Sequence, residues 1–363
     1  MVNNKNRYSI SPLFGEIAMN LGLAGPTEIM DALCFQNEER SFGRQPGRIG
    51  QILVDRDVLG PDDVTRIMEE VEVRTRTLEL PGFQSLELVD RGHTTLQFRG
   101  YTIGTRKTVL IRILRFGLAE SPDDTERFLS ELSTLSRLDH PNVVKVLATG
   151  ELEGIPYFVL ENVTGPTLRG QLDESGPMPE EQALHLLSQV AAGLEHAHSV
   201  DVFHGSVCPD AILTPRIGPA RVMDFALFDW CSFAAAQGAA RLDSPYYLSP
   251  EQARKSTRAT ATSDIYSLGA TLFHALTGRP PFRGEYLEVL RQHMKRPAPD
   301  PRVHAPGVSE ETARLVAQML AKKPEDRPRT MTDIVQFVQR SGVTRLEVDD
   351  SGGLPGRLLP RRR

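Results

Sequence analysis

An α+β chain with a small all-α domain at its front is what this sequence predicts, and three observations predict it. Residues 14–36 and 49–71 repeat at an offset of 35, and a repeat of that length is one supersecondary unit. Thr108–Leu114, TVLIRIL, alternates β-branched and other residues as a strand does. Further on, Leu187, Val190, Ala191 and Leu194, and then Ile265, Leu268, Leu272, Phe273 and Leu276, recur at helical spacing. The chain has 363 residues, enough for two or three domains and a full hydrophobic core.

Composition narrows the class. Charged residues make up 25% and apolar ones 40%, an ordinary globular balance. The net charge of −5 gives no global attraction to nucleic acid or to an anionic membrane, so neither is an expected partner. Cys34, Cys208 and Cys231 lie far apart, which argues against a disulfide framework or a zinc site. The first residues, MVNNKNRYSISP, lack an apolar signal region. No run of about 18 apolar residues follows, so no membrane insertion is expected and a cytoplasmic location is.

In the repeat, FGEIAMNLGLAGPTEIMDAL lies over IGQILVDRDVLGPDDVTRIM. Gly15 matches Gly50, and Gly25-Pro26 matches Gly60-Pro61. Proline suits the first helical position, where its missing N–H costs nothing. Glu28, and Asp62 with Asp63, then complement the helix N-terminus. Val64, Ile67, Met68 and Val71 share one face. Each copy reads as a short helix, a turn and a longer helix, and the two are expected to pack on each other. Residues 9–73 form this helical tandem-repeat domain, and 74–82, with Pro81-Gly82, form a linker.

This pair resembles the helical N-terminal domain of type II secretion and type IV pilus assembly ATPases. Some members of that family bind cyclic di-GMP through an Arg-x-Gly start in each copy. Arg48 and Gly50 fit the second copy, whereas Leu13 replaces the arginine of the first and Asp57 replaces a glycine. Arg40, Arg44 and Arg48 are candidate phosphate contacts. The resemblance implies protein docking, with cyclic di-GMP sensing as a second reading.

The next segment carries an ordered series of motifs. The series runs VDRGHTTLQF, Arg112, Glu131, His140-Pro141-Asn142, the strand Ile155–Leu160, FHGSVCPDAIL, Asp224-Phe225-Ala226, SPYYLSPE, Asp264 and KPEDRP. It resembles the bacterial eukaryotic-like Ser/Thr protein kinase family over residues 83–343, leaving 344–363 as a disordered basic tail. The resemblance implies a two-lobed fold, a small mostly β lobe and a larger helical lobe. Carried over residue by residue, it makes Gly92, Arg112, Glu131, Leu160 and Asp224 nucleotide-binding positions, with Asp224 a candidate magnesium ligand. His204, Phe225, Glu251, Asp264 and Arg327 become structural positions. His204 packs on Phe225, Asp264 ties down the loop, and Arg327 pairs with Glu251.

The departures fall on the reaction itself. Ser206 stands where the family has the aspartate that accepts the substrate hydroxyl's proton, and losing a general base costs ~10²–10⁴ in rate. Cys208 replaces a lysine, and Ala211 replaces an asparagine that holds magnesium; a methyl group ligates nothing. One of three glycines, Gly92, remains in the phosphate-covering hairpin, and Gln97 replaces its valine. Arg112 keeps the strand lysine's charge without its shape. These losses lead to the expectation of a catalytically impaired, pseudokinase-like regulator or scaffold for a protein partner, with ATP and magnesium as the only cofactors in view. The alternative is an atypical active Ser/Thr protein kinase that recruits Asp210 or Asp201 as base. Hydrolysis by His204 and Ser206 lacks any nucleophile-elbow pattern.

Overall fold

The computed structural model describes residues 11–41, 49–67, 80–91, 95–114, 130, 132–152, 155–225, 245–255 and 259–341. Gly92, Glu131, Arg44, Arg48, the segment 226–244 and the tail 344–363 lie outside them, with the expectations placed there.

The front of the chain forms α1 (Ser11–Asn20), α2 (Pro26–Ser41), α3 (Ile49–Asp55) and α4 (61–67). The offset of 35 reappears in backbone hydrogen bonds. Gly22 N donates to Met19 O and Leu23 N to Ala18 O; Asp57 N donates to Val54 O and Val58 N to Leu53 O. Gly22 and Asp57 both have left-handed backbones, φ 67° and φ 56°. Aspartate tolerates that region better than most residues, which is why it stands where the first copy has glycine. Gly25 N donates to Glu28 Oε2 at 2.5 Å, and Gly60 N to Asp63 Oδ2 at 2.8 Å. Each carboxylate satisfies an orphan N–H at a helix start. Phe14, Ile17 and Ile29 from one segment share a core with Ile49, Leu53 and Ile67 from the other. Gly50 lets that core close, since a Cβ there would stand 3.0 Å from the Phe14 ring.

The chain divides into two compact units. The first holds α1–α4, strands β1 (Phe83–Arg91), β2 (Thr95–Thr102) and β3 (Thr108–Leu114), and residues 151–157. β1, β2 and β3 form an antiparallel meander in which Gln97 is paired with Arg112 and Phe98 with Ile111. Phe98, Val109 and Ile111 fill one side of it.

The second unit is mainly helical, with most of strands β4 (Val146–Leu152) and β5 (Ile155–Glu161) attached. Its described helices include α5 (Leu168–Ser175), α6 (Glu180–His198), α7 (Pro250–Lys255), α8 (Ala261–Thr277), α9 (Tyr286–Lys295), α10 (Glu310–Met319) and α11 (Met331–Arg340). A two-residue ladder, β6 (Ile212–Leu213) with β7 (Arg221–Val222), lies between α6 and α7 in the chain. α6 buries the expected stripe, Leu187, Val190, Ala191 and Leu194. α8 is the central helix: every residue from Ser263 to Leu276 is buried. Thr260 and Ser263 form a capping box at its start, and Gly278, φ 72°, closes its end. A Cβ on Gly269 would meet Met319 Cβ at 2.6 Å, so glycine sets how closely α10 approaches α8. The fold is therefore a sheet-based lobe and a helical lobe, as the sequence implies. Among the described residues no helix is long and apolar enough to cross a membrane.

Two buried histidines in this unit yield a pH prediction. Burial and the Arg169 charge lower His274 to about 4. Burial and Lys322 lower His293 to about 3, while its Nδ1 shares a 2.9 Å hydrogen bond with Tyr266 OH. Both are neutral when folded and take up protons on unfolding. Folded values below the unfolded ~6.5 mean that stability is complete above that pH and falls as pH drops toward the folded values. With at least these two protons involved, the unfolding free energy should fall by about 2.7 kcal/mol or more per pH unit near pH 5. Urea denaturation from pH 7 to about pH 5 measures the slope. A flat profile, or one unchanged in a His274→Phe, His293→Leu variant, would refute it.

Candidate active site

The loop Val202–Leu213 is built from its anchors. Asp264, in the first turn of α8, is fully buried. Its Oδ2 accepts from His204 N at 2.8 Å and its Oδ1 from Gly205 N at 2.7 Å. His198, at the end of α6, lies 2.8 Å from the same Oδ2. Gly205 turns with φ 79°, and its carbonyl accepts from Gln252 Nε2 at 2.8 Å. Thr271 Oγ1 donates to Val207 O at 3.3 Å. One carboxylate, one amide and one hydroxyl thus hold the backbone at His204, Gly205 and Val207.

His204 joins this loop to the next motif. Its ring lies 4.7 Å from that of Phe225, and its Nε2 is 2.8 Å from Met223 O. Ser206 N donates to His204 Nδ1 at 3.2 Å, which leaves Nε2 as the protonated nitrogen. Burial lowers the His204 pKa, against the opposing pull of Asp264 and the Met223 carbonyl. A neutral imidazole of fixed tautomer suits a spacer between two loops.

Asp224 follows with φ 71°. Aspartate is among the residues that adopt the left-handed region most readily, as Asp57 and Asp201 also do. Ser206 is half-buried on the anchored loop, and Ala211 is buried in the turn Pro209–Ala211, where its carbonyl accepts from Met223 N at 2.9 Å. Burial, aided by the Asp210 charge, pushes the Cys208 thiol up to about 12, so it is a neutral group at ordinary pH. Asp210 is exposed and lies 3.5 Å from Arg169 Nε. Arg169 also donates to Tyr247 OH at 2.7 Å, and Tyr247 OH is 2.7 Å from His274 Nδ1. Arg169 therefore links α5, the turn of Asp210, and the residues before α7.

Glu251 and Arg327 form a bidentate pair at 2.7 and 2.9 Å. Arg327 also donates to the carbonyls of Ala321, Thr262 and Lys322. In the first unit Arg112 is buried on β3, and its Nε donates to Gln97 Oε1 at 3.0 Å. In the second unit Leu160 is buried on β5. Five participants were not visible in the sequence: Gln97 as the partner of Arg112, His198, Gln252, Arg169 and Tyr247. The cross-strand register of Gln97 with Arg112 is a signal the alternation of β2 and β3 carries once their pairing is known.

Among the described residues no cluster of three or more histidine, cysteine or carboxylate side chains is placed to hold a metal ion. The donor set does suit one magnesium ion shared with a nucleotide: such ions take one or two carboxylates plus phosphate oxygens, and Asp224 supplies one carboxylate. A second ion lacks its oxygen, because Ala211 offers a methyl group.

A family model of the protein kinase domain matches residues 83–338. The chain belongs to the protein kinase family. Among relatives, the serine/threonine-protein kinase PrkC of Bacillus subtilis is 34% identical over 254 residues, which cover 69% of this chain and 39% of that protein. The serine/threonine-protein kinase PknB of Mycobacterium leprae is 36% identical over 241 residues, 64% of this chain and 38% of that protein. The chain therefore spans about two fifths of the length of the curated relatives it matches. The PknI kinase domain of Mycobacterium tuberculosis superposes with a TM-score of 0.59 at 19% identity, covering 72% of this chain and 97% of that one. Rad53 in complex with AMP-PNP gives 0.60 at 20% identity, covering 77% and 70%. These two structures share the fold.

The relatives correct one expectation. The expectation of a catalytically impaired regulator or scaffold rests on Ser206, Cys208 and Ala211, with the glycine-poor hairpin, Gln97 and Arg112 beside them. The similarity extends over more than 240 residues to proteins named as Ser/Thr kinases, and it favours the active-kinase alternative. The physical reason lies in the loop. Its anchors, Asp264 and Gln252, hold the backbone, and the carboxylates of Asp224 and Asp210 are present on it or beside it.

Proposed function

We propose that this chain is an atypical Ser/Thr protein kinase, which transfers the γ-phosphoryl group of ATP to protein hydroxyls. The observation that carries the reading is the 34–36% identity to proteins named Ser/Thr kinases, PrkC and PknB. Phosphoryl transfer passes through a loose transition state, so positioning and charge neutralisation dominate over covalent work. Asp224 would hold one magnesium ion with the nucleotide's phosphates, and the ion supplies charge neutralisation. Asp210, exposed beside Arg169, is the remaining carboxylate of the loop and takes the acceptor alcohol's proton. Cys208, a neutral thiol, leaves the transferring group without a cation on this side, and the rate is correspondingly low. Arg112, kept in place by Gln97, is the candidate cation of the sheet.

The test is transfer of labelled γ-phosphate from ATP with magnesium to a serine/threonine peptide library by the purified chain. Label should appear on serine or threonine, vanish in Asp224→Ala, and drop by ~10²-fold or more in Asp210→Asn. Absence of label, or label indifferent to Asp224→Ala, would sink the reading.

A further inference from the structure

A cavity lies in the helical unit, remote in sequence from the loop of Ser206. Gly278 ends α8 with a left-handed turn and sends the chain into Arg279-Pro280-Pro281. A cavity of about 240 Å³ opens where this segment meets α9 and the stretch that follows it. Phe273, Pro280, Pro281 and Pro299 give it its apolar lining. Arg279, Arg283, Arg296, Gln292 and His304 supply its polar wall, and no carboxylate lines it.

The wall is organised by short contacts. Arg279 donates to His304 Nδ1. Gln292 Nε2 donates to Arg283 O at 2.9 Å, and Arg296 Nη1 to Gln292 Oε1 at 3.4 Å. Of the nearby acids, Asp300 pairs with Arg302 at 2.7 Å, and Glu288 accepts from Gln292 Nε2, on the cavity wall itself, at 3.4 Å. Among the described residues no carboxylate forms an ion pair with Arg279, Arg283 or Arg296. Three guanidinium groups around one cavity repel one another unless an anion sits among them. The chain as a whole carries −5, so this is a local concentration against the global sign.

The chemistry of the anion follows from the donors. Guanidinium forks match phosphate oxygens two at a time. A phosphomonoester offers three terminal oxygens and a charge of about −1.5 to −2, where a carboxylate offers two oxygens and one charge. The cavity is below the ~300–1,000 Å³ usual for drug-sized ligands, which favours a phosphoryl group and its first attached atoms over a whole nucleotide.

We propose that the cavity bounded by Arg279, Arg283 and Arg296 is a binding site for a phosphomonoester dianion, carried on a phosphorylated protein side chain or a small phosphorylated metabolite. It shares no residue with the loop 202–213 or with Asp224, so it stands whether or not the chain transfers phosphate.

Calorimetry on the full chain tests it, with O-phosphoserine, a phosphoserine peptide, the same peptide unphosphorylated, and inorganic phosphate as probes. O-phosphoserine or the phosphopeptide should bind saturably at one site, and the unphosphorylated peptide should not. Arg283→Ala and Arg296→Ala change exposed side chains and should each weaken binding by roughly tenfold. Arg314→Ala, outside the cavity, should leave it unchanged. A phosphopeptide that binds tighter than O-phosphoserine identifies a protein source, and equal affinities identify a small ester. No saturable binding by either up to about 10 mM, where an affinity of −4 kcal/mol would already register, overturns the proposal. So does binding insensitive to both cavity variants, or weakened equally by Arg314→Ala.

Discussion

Arg327→Ala should lower the unfolding free energy by about 3–5 kcal/mol, the cost of breaking a buried charge pair from one side. The Arg327 side chain is fully buried and that of Glu251 is 23% exposed. The substitution strips Glu251 of two donors and the carbonyls of Ala321, Thr262 and Lys322 of theirs. It also removes a cation stacked 4.9 Å from the Tyr266 ring. Lysine should not rescue it, because an ammonium cannot reproduce a bidentate fork that also reaches three carbonyls. Burial raises the Glu251 pKa, and the hydrogen bonds and charge of Arg327 more than offset that, so the folded value lies below the ordinary one. The pair's contribution is therefore complete above the unfolded carboxylate's ~4.3 and is lost as pH falls through the lowered folded value. Urea denaturation of Arg327→Ala and Arg327→Lys at pH 7 checks the size. A loss under about 1 kcal/mol would mean that the pair contributes no more than an exposed one.

Asp264→Ala comes next in expected effect. It leaves His204 N, Gly205 N and His198 Nε2 without their shared acceptor. Each unsatisfied buried donor costs about 1–3 kcal/mol, and because the three share one acceptor their costs do not simply add. A destabilisation of about 3–5 kcal/mol is expected, with the loop losing its fixed course. Asp264→Asn should fall between, since one oxygen still accepts while the amide NH₂ faces a donor. Denaturation gives the free energy, and hydrogen exchange at the His204 and Gly205 amides reports the loop directly. Amides as protected in Asp264→Ala as in the parent chain would show that Gln252 and Thr271 suffice to hold the loop. The phosphoryl transfer proposed for this chain should be lost in the same variant, because that reading places its chemistry on this loop.

Much of the scaffold was legible because its signals are local. The stripe of α6, the stripe of α8 and the glycine ending α8 each occupy a few consecutive turns, and burial imposes a period on them. That Asp57 adopts the left-handed turn of Gly22 was not legible, since the sequence shows it only as a lost glycine. The chemistry was harder to read. Ser206, Cys208 and Ala211 mark missing groups, and a missing group shows what a position does not supply without showing which neighbour supplies it instead. Nothing in a linear reading says that Asp210 stands beside Arg169, or that Gln97 occupies Arg112.

What the amino-acid order determined alone is the alternation of strands, the helical faces, their caps, and which residue types stand at each place in the motif series. Tertiary structure decided the partners. Arg327 meets Glu251 across 76 positions and Asp264 meets His204 across 60; the three arginines of the cavity converge from both sides of α9. Periodicity reports which side of an element is buried, because water exclusion acts on every turn alike. Which charged group faces which across the interior depends on how the elements pack, and no local pattern encodes that.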